Sequence, residues 1–289
     1  MNRQLSNQRL LVVGLARDVK KTVQTDVMKL SASLKHCRAL SWLVIESDSS
    51  DSTVCALYTL ERTVNNFRFI SLGTLSGTIP HRTARIAHCR NVYLDELNAN
   101  PLYSEIDYVV VADLDGANSL VTEEGFASCW RRSDWDVCTA NQRGPYYDIW
   151  ALRHCLWCPN DWEHEYKFLM THNVRSEAAR WAACYSRMIT IDPMEEWIEV
   201  DSAFGGLAIY RRQVLCGVRY VGLDESGGEV CEHVTLHNQL RLNGCRIFIN
   251  PQLINTALTE HSRGMRLVPR LRRYFHGFRH QVRTRFLPD

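Results

Sequence analysis

The order of apolar and polar positions divides the first half of the chain into short apolar runs alternating with longer stretches of helical period. Leu10 to Leu15 is a continuous apolar run that predicts a buried strand, and Val19, Val23, Val27, Leu30 and Leu34 then recur at the spacing of one helix face. Ser41 to Ile45 predicts a second strand. After a polar turn, Glu46 to Asp51, comes a helix carrying Val54, Leu57 and Tyr58. Phe67 to Leu72 predicts a third strand; Ile86, Cys89, Tyr93, Leu94 and Leu97 mark another helix face; and Tyr108 to Ala112 predicts a fourth strand. Strands joined by helices of this length imply an α/β fold with a mostly parallel sheet flanked by helices. Ligands of such sheets bind beyond the carboxyl ends of the strands.

After a fifth strand at Val137 to Thr139 the pattern loosens. Residues 155–198 are rich in Trp, His and charge, with helices predicted over Trp162 to Met170 and Ser176 to Met188. Strand character returns at Ala203 to Tyr210 and Arg246 to Ile249, around a helix from Val230 to Leu242. No repeat or linker divides the chain. We read residues 1–262 as one domain, with a nucleotide-binding part over 8–141, an acceptor part over 142–262 that contains a helical insertion, and a separate tail over 263–289.

Composition adds bounds. With 289 residues and 45% apolar side chains the chain can bury a full core, and 23% charged residues with 15 Gly and 8 Pro exclude a disordered or collagen-like chain. The longest apolar run near the start, Leu10 to Ala16, is far shorter than the roughly 20 residues a bilayer span needs. Eleven Cys without a regular framework suggest a reducing compartment, so a cytoplasmic protein is expected.

The net charge of +2 conceals an asymmetry, because residues 263–285 carry eight Arg and no acid while the remainder is net negative. Leu267, Leu271, Tyr274, Phe278, Val282 and Phe286 form an apolar stripe beside those arginines. An anionic membrane surface is the preferred partner, which places the protein at the inner face of a membrane. Docking on the protein's own acidic body is the alternative. A nucleic-acid partner is not expected, since basic residues do not run through the domain as a stripe.

The most informative segment is Asp107-Tyr-Val-Val-Val-Ala-Asp113-Leu-Asp115-Gly116, a buried strand ending in two carboxylates one residue apart. Such a pair can project into the ligand crevice and suits Mn²⁺ or Mg²⁺ shared with substrate phosphates. An acidic turn without a metal has the same composition. A haloacid-dehalogenase-like phosphotransferase also opens on Asp-x-Asp-Gly after a strand, but this chain has Ala117 next, offers only Lys167 as a downstream lysine, and lacks the later acidic pair.

Several further segments follow in order: Gly14-Leu-Ala16-Arg17-Asp18, the turn Glu46-Ser-Asp48 to Thr53, Arg85 to Asn91 with Arg90, Tyr146-Tyr-Asp148-Ile-Trp150, Asp201 to Arg211 with Gly205 and Gly206, and Cys231-Glu232-His233. This series resembles nucleotide-sugar glycosyltransferases of the GT-A fold, in particular the capsule and lipopolysaccharide enzymes and the cryptococcal capsule mannosyltransferase family. The resemblance covers Leu10 to His261. It implies a Rossmann-like sheet, a nucleotide-diphosphate-sugar donor, a glycan or lipid-linked acceptor, and work in surface polysaccharide assembly.

It also implies roles. Asp115 ligates the metal, Asp113 meets the metal or ribose, and His261 is a late metal ligand. Gly14, Ala16, Arg17, Glu46, Asp48 and Arg90 contact the nucleotide-sugar, and Gly205 and Gly206 let the backbone approach sugar and acceptor. Glu232 or Asp201 is the catalytic carboxylate, with His233 standing where the family's second acid is usual. Inversion and retention both remain open, as does a non-catalytic nucleotide- or sugar-binding protein.

Other clusters have plainer readings. Cys155-Leu-Trp-Cys158 with His154, His164 and His172 is a weak zinc pattern. His233 and His237, one helical turn apart, are expected to be exposed and partly satisfied, and Trp157 or Trp162 could stack on an acceptor sugar.

Overall fold

The structure, a computed structural model, describes residues 5–257. Eight strands form one sheet: β1 (Arg9–Ala16), β2 (Ala39–Glu46), β3 (Phe67–Ser71), β4 (Tyr108–Ala112), β5 (Val137–Gln142), β6 (Ile198–Val200), β7 (Leu207–Arg211) and β8 (Ile247–Thr256). Their order is β3-β2-β1-β4-β7-β5-β8-β6. The β3-β2-β1-β4 half is parallel, as is the β5–β8 pair, whereas β7 runs antiparallel between β4 and β5 and β6 lies antiparallel on β8.

The helices are α1 (Val23–Ser33), α2 (Thr53–Thr63), α3 (Arg82–Ala99), α4 (Glu123–Ser128), α5 (Trp162–Thr171), α6 (Ser176–Ala183) and α7 (Glu232–Leu242). Because side chains alternate along a strand, Leu11, Val13, Val109 and Val111 pack beneath α3 and α7, while Leu10, Val12, Val44 and Val110 pack against α1 and α2. All of these positions are fully buried. Each contributes about 1.5–3 kcal/mol of apolar burial, which is why the central strands read as unbroken apolar runs.

Order along the chain changes direction between β1 and β4. From β1 the sheet grows outward through β2 and β3, and on its other side through β4. A crevice opens at such a switch point, beyond the carboxyl ends of the strands.

Some expected elements differ. The first helix starts at Val23 and not Val19, because the backbone N–H of Val19 donates to Thr53 Oγ1 at 2.8 Å and fixes a turn. The helix expected over 176–188 ends at Ala183 and continues as a short 3₁₀ turn, Tyr185–Arg187. The strand expected from Ala203 starts at Leu207, since Gly205 (φ 69°) and Gly206 (φ 85°) take left-handed conformations that no strand admits.

His233 and His237 are buried, not exposed. They lie one turn apart on the inward face of α7, beside Leu236 and Leu240 in the α3-side core. His237 Nδ1 pairs with Ser202 Oγ at 2.9 Å and Nε2 with Tyr210 Oη at 2.8 Å, and burial holds its pKa down to about 3. An unfolded histidine titrates near 6.5. As pH falls below that value the unfolded chain binds a proton that the native His237 refuses, so stability is lost between about pH 6.5 and 3 at up to about 1.4 kcal/mol per pH unit. Urea unfolding of the native protein and of His237→Gln, compared between pH 6 and 4, should therefore give a shallower decline in the variant by about that slope; equal slopes would mean that the ring is already protonated in the native state.

Candidate active site

One cleft of about 1080 Å³ occupies the switch point. Its floor is the loop after β4. Leu114 is buried, so the residues on either side of it, Asp113 and Asp115, turn toward the cleft. The loop is pinned from several directions: Asp113 N donates to Gly206 O (3.0 Å), Asn118 Nδ2 to Asp113 O (2.6 Å), Thr22 Oγ1 to Leu114 O (2.8 Å), and Gly116 N to Asp26 Oδ2 (2.7 Å). The two carboxylates are thus fixed by backbone contacts before any ligand arrives.

Arg90 of α3 stands over this floor. It is 4% exposed, and its guanidinium lies 5.4 Å from the Phe204 ring centroid and 5.6 Å from that of Tyr220. Nε donates to Glu232 Oε1 at 3.0 Å, and Nη2 is 3.7 Å from Asp113 Oδ1. Nη1 has no hydrogen-bond partner among the described residues, nor does either ring nitrogen of His233. Both side chains line the cleft.

Acids outnumber this cation. Burial pushes the Asp113 carboxyl up to about 8; Arg90 opposes the shift, and Asp115, Asp148 and Glu232 add to it. The part of the Asp113 side chain that remains exposed faces the cleft, so a ligand in the cleft reaches it directly.

Four further segments add to the wall: Leu15 and Ala16 at the end of β1 with Arg17 after it, Ser47 and Asp48 after β2, Arg82, Arg85 and Ile86 from the start of α3, and Tyr147 to Ala151 after β5. Trp162, Arg180, Tyr185 and Met188 close the far side. The loops after β1 and β2 are tied together, since Asp18 Oδ1 accepts from Ser50 N (2.7 Å) and Asp51 N (3.2 Å).

Of the residues expected to act, Ala16, Arg17, Asp48, Arg90, Asp113, Asp115 and Glu232 meet in this cleft. Asp48 is nonetheless committed to structure: Oδ1 accepts from Leu75 N (3.0 Å) and Ser76 N (2.8 Å), and Oδ2 is 3.8 Å from Arg85 Nε. Burial, which raises its pKa, is outweighed by the Ser76 and Leu75 hydrogen bonds and Arg85, so the net shift is downward. Glu46 is buried off the wall, accepting from the Ser71 hydroxyl and from Ser49 N at 3.1 Å, and it holds the turn instead of facing a nucleoside.

Gly14 is also structural. A Cβ there would come within 2.8 Å of Ala112 O and of Leu114 Cδ1, so its absence serves the close approach of β1 to the β4 loop. Gly205 and Gly206 are not part of the cleft wall; a Cβ on them would meet Gln142 Nε2 at 2.6 Å and Tyr147 Oη at 2.9 Å. They let neighbouring protein side chains approach, not the ligand.

Asp201 stands outside the cleft, half exposed and 3.3 Å from Arg241 Nη2, and is not placed to act with the others. His261 and the Arg-rich tail lie outside the described residues. Cys155 is exposed and Cys158 buried, with the Cys158 backbone paired to that of His154 in a tight turn. Among the described residues no three His, Cys, Asp or Glu side chains form a group that could hold a metal by themselves. No role was expected for Asp148, Ser47, Arg82, Arg85, Arg180 or Tyr185, although Ser47, Arg85 and Asp148 lie in segments that follow the predicted strands or open a predicted helix.

No protein-family model matches this chain, and no curated protein matches it. Among solved structures, similar chains include S. aureus TarS 1–349 in complex with UDP-GlcNAc (15% identity, TM-score 0.48, 87% of this chain and 59% of that one). Others are the mannosyltransferase PcManGT from Pyrobaculum calidifontis with GDP-Man and Mn²⁺ (13%, 0.46, 86% and 56%) and glucosyl-3-phosphoglycerate synthase from Mycobacterium tuberculosis with UDP (13%, 0.40, 89% and 72%). This chain spans less than two thirds of the TarS 1–349 and PcManGT chains. At these identities and TM-scores the likeness is one of chain trace, and it transfers no activity.

Proposed function

We propose that the protein is a GT-A type glycosyltransferase that moves a sugar from a nucleotide-diphosphate sugar to a glycan or lipid-linked acceptor. The observation that carries this reading is the pairing of Asp113 and Asp115, backbone-fixed and undercompensated in charge, with the switch-point cleft of an α/β sheet. Mn²⁺ or Mg²⁺ fits the donor set, because these ions are held by one or two carboxylate oxygens together with substrate phosphates. Asp115, exposed on the floor, and Asp113 beside it would hold the ion. When bound it supplies Lewis-acid stabilisation of the charge that grows on a departing diphosphate, worth several kcal/mol.

The chain's own residues divide the remaining work. Arg17 and Arg85 give the β1–β2 side of the cleft a positive wall for phosphates. Arg90, desolvated between two rings and lining the cleft, adds fixed positive charge beside the carboxylate floor, which would favour negative charge on the donor. Trp150, Trp162 and Tyr185 also line the cleft, and aromatic surface of this kind would suit the apolar hydrogens of an acceptor sugar. The phosphotransferase alternative fits less well, because the cations lining the cleft are all Arg and Lys167 is not among them.

The acceptor is proposed to belong to surface polysaccharide or glycolipid assembly, with residues 263–285 holding the enzyme on an anionic membrane face through eight Arg beside an apolar stripe. Among the described residues no helix is long and apolar enough to cross a membrane. Full-length protein should sediment with anionic liposomes at low salt and release as salt rises, while a chain ending near residue 262 should stay in solution; indifference of the full-length protein to such liposomes removes the membrane role.

A thermal-shift panel of UDP-, GDP-, CMP- and dTDP-sugars, with and without Mn²⁺, tests the main reading. One base class should stabilise the protein by about 2.7 kcal/mol at a hundredfold excess over Kd, and only with the metal. Asp115→Asn should lose that shift yet keep its ligand-free stability within about 0.5 kcal/mol, as expected of an exposed side chain. Stabilisation by no nucleotide sugar, joined to hydrolysis of simple phosphoesters, would favour the phosphotransferase; binding without transfer or hydrolysis would leave a binding protein.

A further inference from the structure

Resting on the glycosyltransferase reading, we infer that Thr22 and Asp26, at the start of α1 and behind the cleft wall, are positioning residues for the acidic floor. They hold the backbone on both sides of Asp115, and the Asp26 carboxylate acts on the cation bound there without touching it. Neither residue lines the cleft. Both reach its floor through the loop after β4.

Thr22 Oγ1 donates to Leu114 O at 2.8 Å, and Asp26 Oδ2 accepts from Gly116 N at 2.7 Å. Leu114 and Gly116 are the two chain neighbours of Asp115. Asp26 N in turn donates to Thr22 O at 2.9 Å, so the two side chains stand one helical turn apart on one face. A single turn therefore grips the chain immediately before and after one acid. Gly116 takes φ 98°, and a Cβ on it would meet Thr22 Cγ2 at 3.4 Å, so the loop lies directly against that turn.

Asp26 is an unusual residue for its place. It is 1% exposed and falls on the inward face of α1 with Val23, Val27 and Leu30, all fully buried. Acids at such depth are normally paired with a cation. Among the described residues no Lys, Arg or His acts on it. Burial pushes its carboxyl up to about 6; the backbone N–H groups of Gly116 and Asn118 oppose that shift, and Asp115 adds to it. A buried charge without a counter-ion costs the native state stability, so the fold alone would be better served by a neutral side chain.

What the charge serves is the floor. Its hydrogen-bond donor is the backbone of the loop that carries Asp113 and Asp115, and a divalent ion held by those two acids supplies the positive charge that Asp26 lacks. Groups that hydrogen-bond behind a metal site orient the ligating carboxylates and raise their affinity. The competing structural role is that of an acid in the first turn of a helix, where the helix dipole favours it. That role makes Asp26 a stabiliser of the free protein, whereas the role inferred here makes it a cost to the free protein and a gain to the bound one.

Capture of Mn²⁺ and stability are therefore read separately, in the native full-length protein, Asp26→Asn, Thr22→Val and Thr22→Ser at neutral pH. Capture is followed by electron paramagnetic resonance in the presence of UDP, GDP, CDP or dTDP, whichever promotes it in the native protein, and the melting temperature is taken without ligand. Asp26→Asn should capture Mn²⁺ about tenfold or more weakly while melting at or above the native temperature, because the buried charge is gone. Thr22 makes no side-chain cap on α1, so Thr22→Val leaves the helix start intact. It should weaken capture roughly fivefold, the worth of one hydrogen bond, and Thr22→Ser, which keeps the hydroxyl, should capture as the native protein does. Native capture by Asp26→Asn, or a drop in its melting temperature alongside the lost capture, overturns the inference, as does a Thr22→Val indistinguishable from Thr22→Ser. Failure of the native protein to capture Mn²⁺ with any of these nucleotides overturns the glycosyltransferase reading first, and this inference with it.

Discussion

A guanidinium stays charged even when taken out of water and therefore needs counter-charge close by, which Arg90, between the rings of Phe204 and Tyr220, finds in Glu232 and Asp113. Removing one partner from such a buried pair costs about 3–5 kcal/mol, because the other charge is left uncompensated. Arg90 therefore ties together three parts of the chain that are far apart in sequence: α3, which carries it, the loop after β4, and the first turn of α7. Tyr93 extends the same support inward through a 2.7 Å hydrogen bond to Tyr220. The cleft is an opening in a network that is already rigid on its inner side.

The sheet decides where that network can sit. Parallel strands β1, β2 and β4 deliver their carboxyl ends to one edge, and the reversal of order between β1 and β4 leaves the crevice there. Antiparallel β7 brings the Gly205–Gly206 turn to the same edge from the opposite direction. Only by that reversal can a turn preceding a strand meet loops that follow strands, and it lets Gly206 receive Asp113 N while Gly205 holds Asp148. Burial, opposed by Arg90 and reinforced by Asp115, Asp148 and Glu232, pushes Asp113 up to about 8, and that crowding of acids is the electrostatic counterpart of this convergence. A divalent cation beside a diphosphate, as proposed, would satisfy it.

The sequence made the strands and the acidic pair legible because both depend on local pattern. Tyr108 to Ala112 is entirely buried, and its predicted bounds match the observed strand. Direction and partnership are different, since hydrophobic periodicity is the same for parallel and antiparallel strands; β7 was visible as a strand but its reversal was not, and the short edge strand β6 and helix α4 were missed. Carboxylate roles were legible only in part. Glu46, Asp48, Asp113 and Asp115 all follow strands, yet Glu46 and Asp48 spend their oxygens on Ser49, Ser71, Leu75 and Ser76, which a linear sequence cannot reveal. The hold of Gly205 N on Asp148, 57 residues away, is likewise invisible to a linear reading. His233 and His237 looked like surface histidines because helix spacing tells which residues share a face but not which face is inside.

In the proposed function the Asp113–Asp115 floor binds a divalent cation jointly with a nucleoside diphosphate. Electron paramagnetic resonance of Mn²⁺ measures this directly, since the free-ion signal falls as the ion is captured. Titration of the full-length protein with Mn²⁺ should give weak capture alone, and capture at one ion per chain in the presence of the matching nucleoside diphosphate at a concentration where the nucleotide alone binds little Mn²⁺. Asp113→Asn and Asp115→Asn should each abolish the nucleotide-dependent part. Equal capture with and without every nucleotide tested, or undiminished capture by both variants, would contradict the account.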